Sequence, residues 1–343
     1  MKIFKKKYFY LNYGTIGDMI MVSSLLDVIH KKDRDAVFYV GVIKNFNLIK
    51  SLTSKYGWIR FFDLSKKQNF LILYLKIVFG KVFVIVPPSF GRVPKKISLF
   101  LKALSMFNFE NSPIGFSINE ETEKFLAKKI PFQKNKIFLD NLGLFLPVLG
   151  FKEEKIIPHF DFVFNEKFIE SLGLKKNKYI VFHVCAANKV RSLPKSRWIS
   201  VIKGLKGLSE NNKFVFSAAK KDLDFVNEII VKSGVSGIVA DGSIHDIATL
   251  IRDAKLYVGI DTGITHMACV QKVDSVIIAN NSNPTWLPSY NPNATILKND
   301  EVCTCDGLKG GDCLVDFEGD KYYRCLFFIS DEEIIFAIKE KLK

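Results

Sequence analysis

The sequence predicts an α/β protein of two domains, each a parallel sheet covered by helices on both faces. Three observations predict it. The 343 residues exceed what one hydrophobic core ordinarily holds, so two domains of about 150 residues each are expected. Short apolar, β-rich runs alternate with amphipathic segments, the pattern of parallel strands joined by crossover helices. The alternation occurs twice, separated by a mixed stretch with two prolines.

The first series of strands is "FYLNY" (9–13), "AVFYVGV" (36–42) and "KVFVIV" (81–86), with "IMVSSLLDVIHKK" (20–32) as a helix between the first two. The opening residues carry no cleavable secretory signal and read as a first strand. The longest apolar run, 70–86, is interrupted by Lys76, Gly80 and Lys81. It is short for a membrane span and reads as a buried helix followed by a strand. The stretch 134–168, with Pro147 and Pro158, reads as the linker, which gives domains 1–155 and 156–343. The second series is "KYIVFHV" (178–184), "KFVFSA" (213–218), "SGIVA" (236–240), "KLYVGI" (255–260) and "SVIIAN" (275–280), with helices over 222–234 and 244–254. A terminal helix follows from the Ser330 to Glu333 capping box and apolar residues at helical spacing.

Apolar residues make up 48% of the chain and aromatics 13%, which excludes global disorder. Of the net charge of +15, residues 1–150 carry +14 (24 Lys and Arg against 10 Asp and Glu), and residues 151–343 carry +1. The basic excess reads either as a solvated surface or as attraction to a polyanion such as a membrane surface or phosphorylated lipid. Nucleic acid is not expected as a partner, because the lysine doublets are scattered and lack a recognition pattern.

In open parallel sheets ligands bind beyond the carboxyl ends of the strands, and the candidate motifs fall there. In "LNYGTIGDMIMVSSLL" (11–26), Gly14 and Gly17 permit a tight turn and a helix begins near Asp18. Neither the dinucleotide nor the P-loop glycine spacing is present, which disfavours nicotinamide and ATP sites. Asp18 reads either as a helix cap or as a general base. In "FHVCAANKVRSLPKSRW" (182–198) a strand ends at His183 and a helix follows Pro194, with Lys189 and Arg191 between them. The cations read as a phosphate site beside a helix N-terminus or as a solvated loop. In "VGIDTGITHMACV" (258–270) a strand breaks into Asp261, Thr262 and Gly263, with His266 one turn on. The glycine and the N–H groups of Gly263, Ile264 and Thr265 suit a diphosphate; a helix cap and a core histidine are the alternatives. Cys303, Cys305, Cys313 and Cys325 form a group that is either a structural zinc site or free thiols, while Cys185 and Cys269 read as small core residues. No serine-hydrolase or zinc-protease pattern occurs, nor a D-x-D loop after a strand, so cations and amides are the expected means of holding phosphate.

These motifs, in this order, resemble glycosyltransferase family nine, the ADP-heptose:lipopolysaccharide heptosyltransferases. "YGTIGD" is similar to the family's N-terminal loop, the 182–198 stretch to its histidine-led loop, and "DGSIHDIATLIRDAKLYVGIDTGITHMACV" to its G-[ST]-x-x-[DE]-x-x-x-L-I followed by D-T-G-x-x-H. "NNSNPTWLP" is similar to its N-P-x-x-W-x-P. The resemblance implies a GT-B fold, two Rossmann-like domains facing a central cleft, with the acceptor on the N-terminal domain and the nucleotide sugar on the C-terminal one. It implies an inverting, metal-independent transfer of a heptose or similar sugar to a lipopolysaccharide-core or other glycan acceptor. By this likeness Asp18 is the base and Gly14, Gly17, Arg92 and Lys95 lie on the acceptor side. His183, Lys189, Arg191, Asp261, Thr262, Gly263 and His266 bind the donor, with Arg191 where the family usually has lysine. No cofactor is implied for catalysis. The location implied is the cytoplasm of a bacterium, peripheral on the inner face of its membrane. A nucleotide-sugar epimerase of related fold and a non-catalytic binding relative are the alternatives. Two departures leave the donor sugar and base open: Val184-Cys185-Ala186-Ala187 replace a hydroxyl-bearing run, and lysines stand in "FSAAKKDLD" where an acid for the ribose is expected.

Overall fold

The computed structural model of the chain describes residues 5–12, 15–80, 82–86, 99, 101–103, 113–118, 123–280, 284–299 and 313–343. The chain divides into two compact units, Met1–Asp161 and Phe162–Lys343, each with its own sheet.

The first unit holds β1 (Lys7–Asn12), β2 (Val37–Val42), β3 (Ile59–Asp63), β4 (Val82–Val86), β5 (Ile114–Ser117) and β6 (Lys128–Pro131), all parallel, in the order β3-β2-β1-β4-β5-β6. This is the doubly wound order, whose switch point lies between β1 and β4. Helix α1 (Ile16–Lys32) links β1 to β2, α2 (Phe46–Leu52) links β2 to β3, and α3 (Lys67–Gly80) links β3 to β4; the short α4 (Phe138–Gly143) and α5 (Phe145–Val148) follow β6. The central strands are apolar on both faces, as a sheet covered twice requires. Phe9, Leu11, Val84 and Val86 pack with Leu73 and Ile77 of α3 in one core. Strands β3, β5 and β6 carry no signal of that strength. β6 buries only Ile130, and an edge strand ending in proline has no apolar run to read.

Two local expectations are corrected. Helix α1 begins at Ile16, not near Asp18: Thr15 is its N-cap and its hydroxyl accepts the Asp18 N–H at 3.3 Å. Gly17 therefore lies inside the first turn. Helix α3 is buried on one side only, since Leu73 and Ile77 are covered while Leu71, Ile72, Leu75 and Phe79 face outward.

The second unit repeats the plan with β7 (Tyr179–His183), β8 (Lys213–Ser217), β9 (Gly237–Ala240), β10 (Leu256–Ile260), β11 (Ser275–Ile278) and β12 (Ala294–Leu297), all parallel. Their order, β9-β8-β7-β10-β11-β12, is again third, second, first, fourth, fifth, sixth, with the switch point between β7 and β10. Helices α6 (Glu166–Ser171), α7 (Lys195–Gly204), α8 (Leu223–Ser233), α9 (Ile244–Arg252), α10 (Gly263–Val270) and α11 (Asp331–Leu342) complete it. Trp198 of α7, fully buried, packs with Phe182, Phe214 and Ile334 and Ile338 of α11. The terminal capping box closes in both directions, Glu333 N to Ser330 Oγ at 3.1 Å and Ser330 N to Glu333 Oε2 at 2.6 Å. An antiparallel hairpin, β13 (Leu314–Phe317) and β14 (Asp320–Tyr323), turns at Glu318 and Gly319 with φ of 52° and 80°. Paired left-handed residues match the twist of a two-residue hairpin turn.

Candidate functional site

In the first unit the loop after β1 leads into α1 at the sheet's switch point. Asp18 is half-buried in the first helical turn, where the helix dipole favours a carboxylate. Gly14, Arg92 and Lys95 lie outside the described residues.

In the second unit the two motif loops leave β7 and β10, the neighbouring strands at the switch point. His183 ends β7 with its Nδ1 2.9 Å from Ser217 Oγ at the end of β8. Burial pushes its pKa down to about 4, the Ser217 contact opposing, so at neutral pH the imidazole carries no charge. The following loop is closed on itself: Ser192 Oγ donates to Val184 O at 2.7 Å, and Trp198 Nε1 donates to Ser192 Oγ at 3.3 Å. Arg191 ends the 3-10 turn Lys189–Arg191 and reaches Asp261, Nη1 to Oδ2 at 3.7 Å. The second and third motifs thus meet. Lys189 goes elsewhere, its Nζ 3.5 Å from Asp320 Oδ2 on β14.

The strand-to-helix junction is held from below. Thr265 Oγ1 donates to Ile260 O and lies 2.9 Å from the buried Tyr257 hydroxyl. Gly259 is required by this packing, because a Cβ there would overlap the Tyr257 hydroxyl. Thr262 is the N-cap residue of α10 without a side-chain cap bond. Thr265 N–H bonds back to Thr262 O at 3.1 Å, so it is not a free donor as expected; Gly263 and Ile264 supply the N–H groups of the helix start. His266 is buried, with Nδ1 3.1 Å from the Tyr290 hydroxyl. Burial pushes its pKa down, Asp261 opposing and Arg191 adding to the fall. Arg191 and Asp261 thus stand beside an imidazole whose protonation is disfavoured by burial.

Ser217, Tyr257 and Tyr290 stand against the candidate residues and were not singled out by the motif reading, which named Thr265 for its N–H and not for its hydroxyl. Tyr290 had a signal, since it stands two residues after Pro288 of the W-x-P segment. A cavity of about 560 Å³ in this unit is lined by parts of the 184–192 loop and by Lys195, Lys221, Glu228, Asp320 and Tyr322 among others. It does not include Arg191 or the Asp261 to His266 run, so the candidate site at those residues is distinct from this hollow. Two of the cavity's lysines, Lys195 and Lys232, are engaged by Glu228, whose carboxyl they hold down at about 2.

Cys313 precedes β13 by one residue, and its carbonyl accepts the N–H of Arg324 at 2.8 Å. At the hairpin's open end Cys313 therefore pairs with Arg324, the residue before Cys325. Cys303 and Cys305 lie outside the described residues. Cys185 and Cys269 are buried, and burial pushes both thiols up to about 12, as fits packed core residues.

Residues 103–309 match the model of the family described as glycosyltransferase family 9 (heptosyltransferase). No curated protein matches the chain by sequence. Among solved structures, the ADP-heptose lipopolysaccharide heptosyltransferase II of E. coli superposes with a TM-score of 0.67 at 16% identity, over 98% of each chain. A family 9 glycosyltransferase of Veillonella parvula gives 0.68 at 19%, over 100% of this chain and 98% of that one. The dodecameric, iron-containing heptosyltransferase TibC of enterotoxigenic E. coli, solved with ADP-D-beta-D-heptose, gives 0.60 at 12%, over 99% of this chain and 76% of that one. At such identities the likeness is one of fold, and the fold is that of these heptosyltransferases.

Proposed function

Because the chain belongs to glycosyltransferase family 9 (heptosyltransferase), we propose that it transfers a heptose or similar sugar, with inversion, from a nucleoside diphosphate donor to a lipopolysaccharide-core or other lipid-linked acceptor. The observation that carries this reading is the approach of Arg191 to Asp261, 3.7 Å apart, at the ends of the two strands flanking the switch point. It gathers a cation, the helix start at Gly263 and a buried carboxylate where a diphosphate is expected.

In the reaction proposed, the acceptor hydroxyl gives its proton to the Asp18 carboxylate as its oxygen attacks the anomeric carbon. The new C–O bond forms on the face opposite the diphosphate. The bond to the diphosphate oxygen breaks with its electron pair, which inverts the configuration. An aspartate of ordinary basicity is a weak base for an alcohol, so most of the barrier must fall through stabilisation of the leaving group. Arg191 and the N–H groups of Gly263 and Ile264 supply it, and a step so written needs no divalent cation. Asp261 orients Arg191, while Thr262 and the neutral imidazoles of His183 and His266 complete the donor site; Lys189, drawn toward Asp320, serves it from the rim. The first unit takes the acceptor, with Gly14, Gly17, Arg92 and Lys95 on that side, and the second takes the donor. A nucleoside diphosphate heptose as donor is supported by two structural neighbours, the ADP-heptose heptosyltransferase II of E. coli and TibC in complex with ADP-D-beta-D-heptose.

A lipid-linked acceptor places the reaction at the inner face of the cytoplasmic membrane, which the charge of the N-terminal half supports. No described helix is long and apolar enough to cross a bilayer. The four cysteines are proposed to hold a structural metal, supported by the pairing of Cys313 with Arg324, the residue before Cys325, at the hairpin's open end. Zinc suits four thiolates; iron is the alternative, TibC being iron-containing. Either would brace the hairpin and take no part in transfer.

Thermal stabilisation by ADP, GDP, UDP, CMP and their sugars, with and without magnesium, tests the reading. One diphosphate should raise the midpoint selectively, without help from magnesium, and lose its effect in Arg191→Ala. No shift with any of them overturns the donor site. Turnover of the donor with no acceptor present overturns transfer in favour of epimerisation.

A further inference from the structure

The N-terminal unit carries 26 Lys and Arg against 13 Asp and Glu, and the 46 residues from Leu64 to Phe109 contain eight Lys and Arg and not one Asp or Glu. Helix α3 lies in that acid-free stretch. Its inner side is anchored by Leu73 and Ile77, while on the outer side Leu71, Ile72, Leu75 and Phe79 are 60, 45, 44 and 82% exposed. Leu71, Leu75 and Phe79 are successive four-residue neighbours and so form one stripe along the helix. By the same helical geometry Lys67 and Lys76 flank that stripe on its two sides. Single exposed apolar side chains are ordinary; four large ones on one face of a fourteen-residue helix mark a surface that something covers.

We propose that this outer face of α3 docks on an anionic lipid bilayer. The helix lies in the plane of the headgroups, with Leu71, Leu75 and Phe79 entering the acyl boundary and Lys67 and Lys76 at the level of the phosphates. At about 1.5 Å per residue the helix is roughly 21 Å long, too short to span a hydrocarbon layer of about 30 Å, so it rests on the surface. Charge decides the occupant. A second copy of this chain, paired about a two-fold axis, would set the same acid-free, cationic stretch against itself, whereas anionic headgroups neutralise it. The inference rests on the lipid-linked acceptor proposed above, which gives the protein a reason to be at a bilayer, but it is read by a separate measurement.

The full chain is sedimented with vesicles of phosphatidylglycerol and phosphatidylethanolamine, and with vesicles of phosphatidylcholine alone. Binding to the anionic vesicles should be at least about tenfold stronger, and should fall about tenfold in Leu75→Ser/Phe79→Ser and in Lys67→Glu/Lys76→Glu. Both variants change exposed side chains, so the thermal midpoint and any nucleotide-induced shift should stay as in the wild type. Wild-type protein left in the supernatant with anionic vesicles overturns the proposal, as does sedimentation of both variants like the wild type. A dimer by light scattering that Leu75→Ser/Phe79→Ser makes monomeric would identify a self-association face and overturn it equally. Vesicle binding in a protein that shows no nucleotide-induced shift supports the docking face while removing the transferase reading.

Discussion

Arg191 stands 3.7 Å from Asp261, the arginine side chain 41% exposed and the aspartate 7%. The buried carboxylate tethers a cation whose outer side stays open to solvent, so one half of the pair orients and the other is left to meet an anion.

Arg191→Ala should abolish the nucleotide-induced thermal shift and lower the transfer rate by about 10²-fold, the usual loss for one charge-stabilising group. Stability should fall by less than about 1 kcal/mol, because the pair is partly exposed. Arg191→Lys should recover part of the rate, since it keeps the charge without the planar fork. Steady-state kinetics and calorimetry on the two variants check both halves.

Asp18→Asn should leave nucleotide binding intact and reduce transfer by about 10²-fold to 10⁴-fold. The first-turn carboxylate also interacts with the helix dipole, so the midpoint should drop by an amount corresponding to about 0.5 kcal/mol. A variant that binds donor and still transfers at the wild-type rate would remove Asp18 from the role of base.

Thr265→Val removes one of the two threonine hydroxyls that meet the buried Tyr257 hydroxyl, Thr262 being the other, together with the bond to Ile260 O, and should cost about 1–3 kcal/mol in urea unfolding. Donor affinity should weaken as well, because the start of α10 is no longer tied to β10. An unchanged unfolding midpoint would show that the bond contributes nothing net.

His183 is neutral in the folded protein down to about pH 4, whereas in the unfolded chain it takes a proton near pH 6.5. The unfolded state therefore binds more protons between those values, and stability is full above about pH 6.5 and is lost as the pH falls toward 4. The lowered pKa of His266 acts in the same direction. Unfolding free energies from urea titrations at pH 7.5 and pH 5 should differ, by about 2 kcal/mol at most from His183. In His183→Asn the difference should shrink.

If the four cysteines hold one structural metal, elemental analysis of the purified chain should find one zinc or iron atom per chain. Cys313→Ser should lower that ratio and destabilise the hairpin, with proteolysis near residues 313–325 as the readout. A metal-free preparation that resists proteolysis as well as the wild type would remove the metal from the account.

Both sheets were legible in the sequence where strands sit at the centre, since "KVFVIV" and "KLYVGI" are apolar on both faces. β3, β6 and β12 were not, because these edge strands bury too little to leave a pattern, and β5 was not, because its buried run of Ile114, Gly115 and Phe116 is only three residues long. The run from Asp261 to His266 was legible as a break between strand and helix, and the Ser330 box as a helix start. The partners of the two histidines were not: Ser217 lies 34 residues from His183, and Tyr290 lies 24 from His266. Those contacts follow from the strand order and from loop return paths, which local spacing does not encode. Lys189 and Arg191 are two residues apart and looked equivalent; the hairpin that draws Lys189 aside has no counterpart in the motif.

The bond between Tyr257 and Thr265 has a consequence for selectivity. It ties the mouth of the proposed donor site to β10, a strand with neighbours on both sides, so this corner cannot reshape itself around a ligand without disturbing the middle of a sheet. It acts as a mould, not as a hinge. A mould discriminates by refusing what does not fit, and its ordering cost was met when the chain folded. Discrimination among nucleoside diphosphates should therefore lie in the neighbouring loops, and swapping those loops, with β10 left alone, is the route by which the donor preference of this chain can be changed.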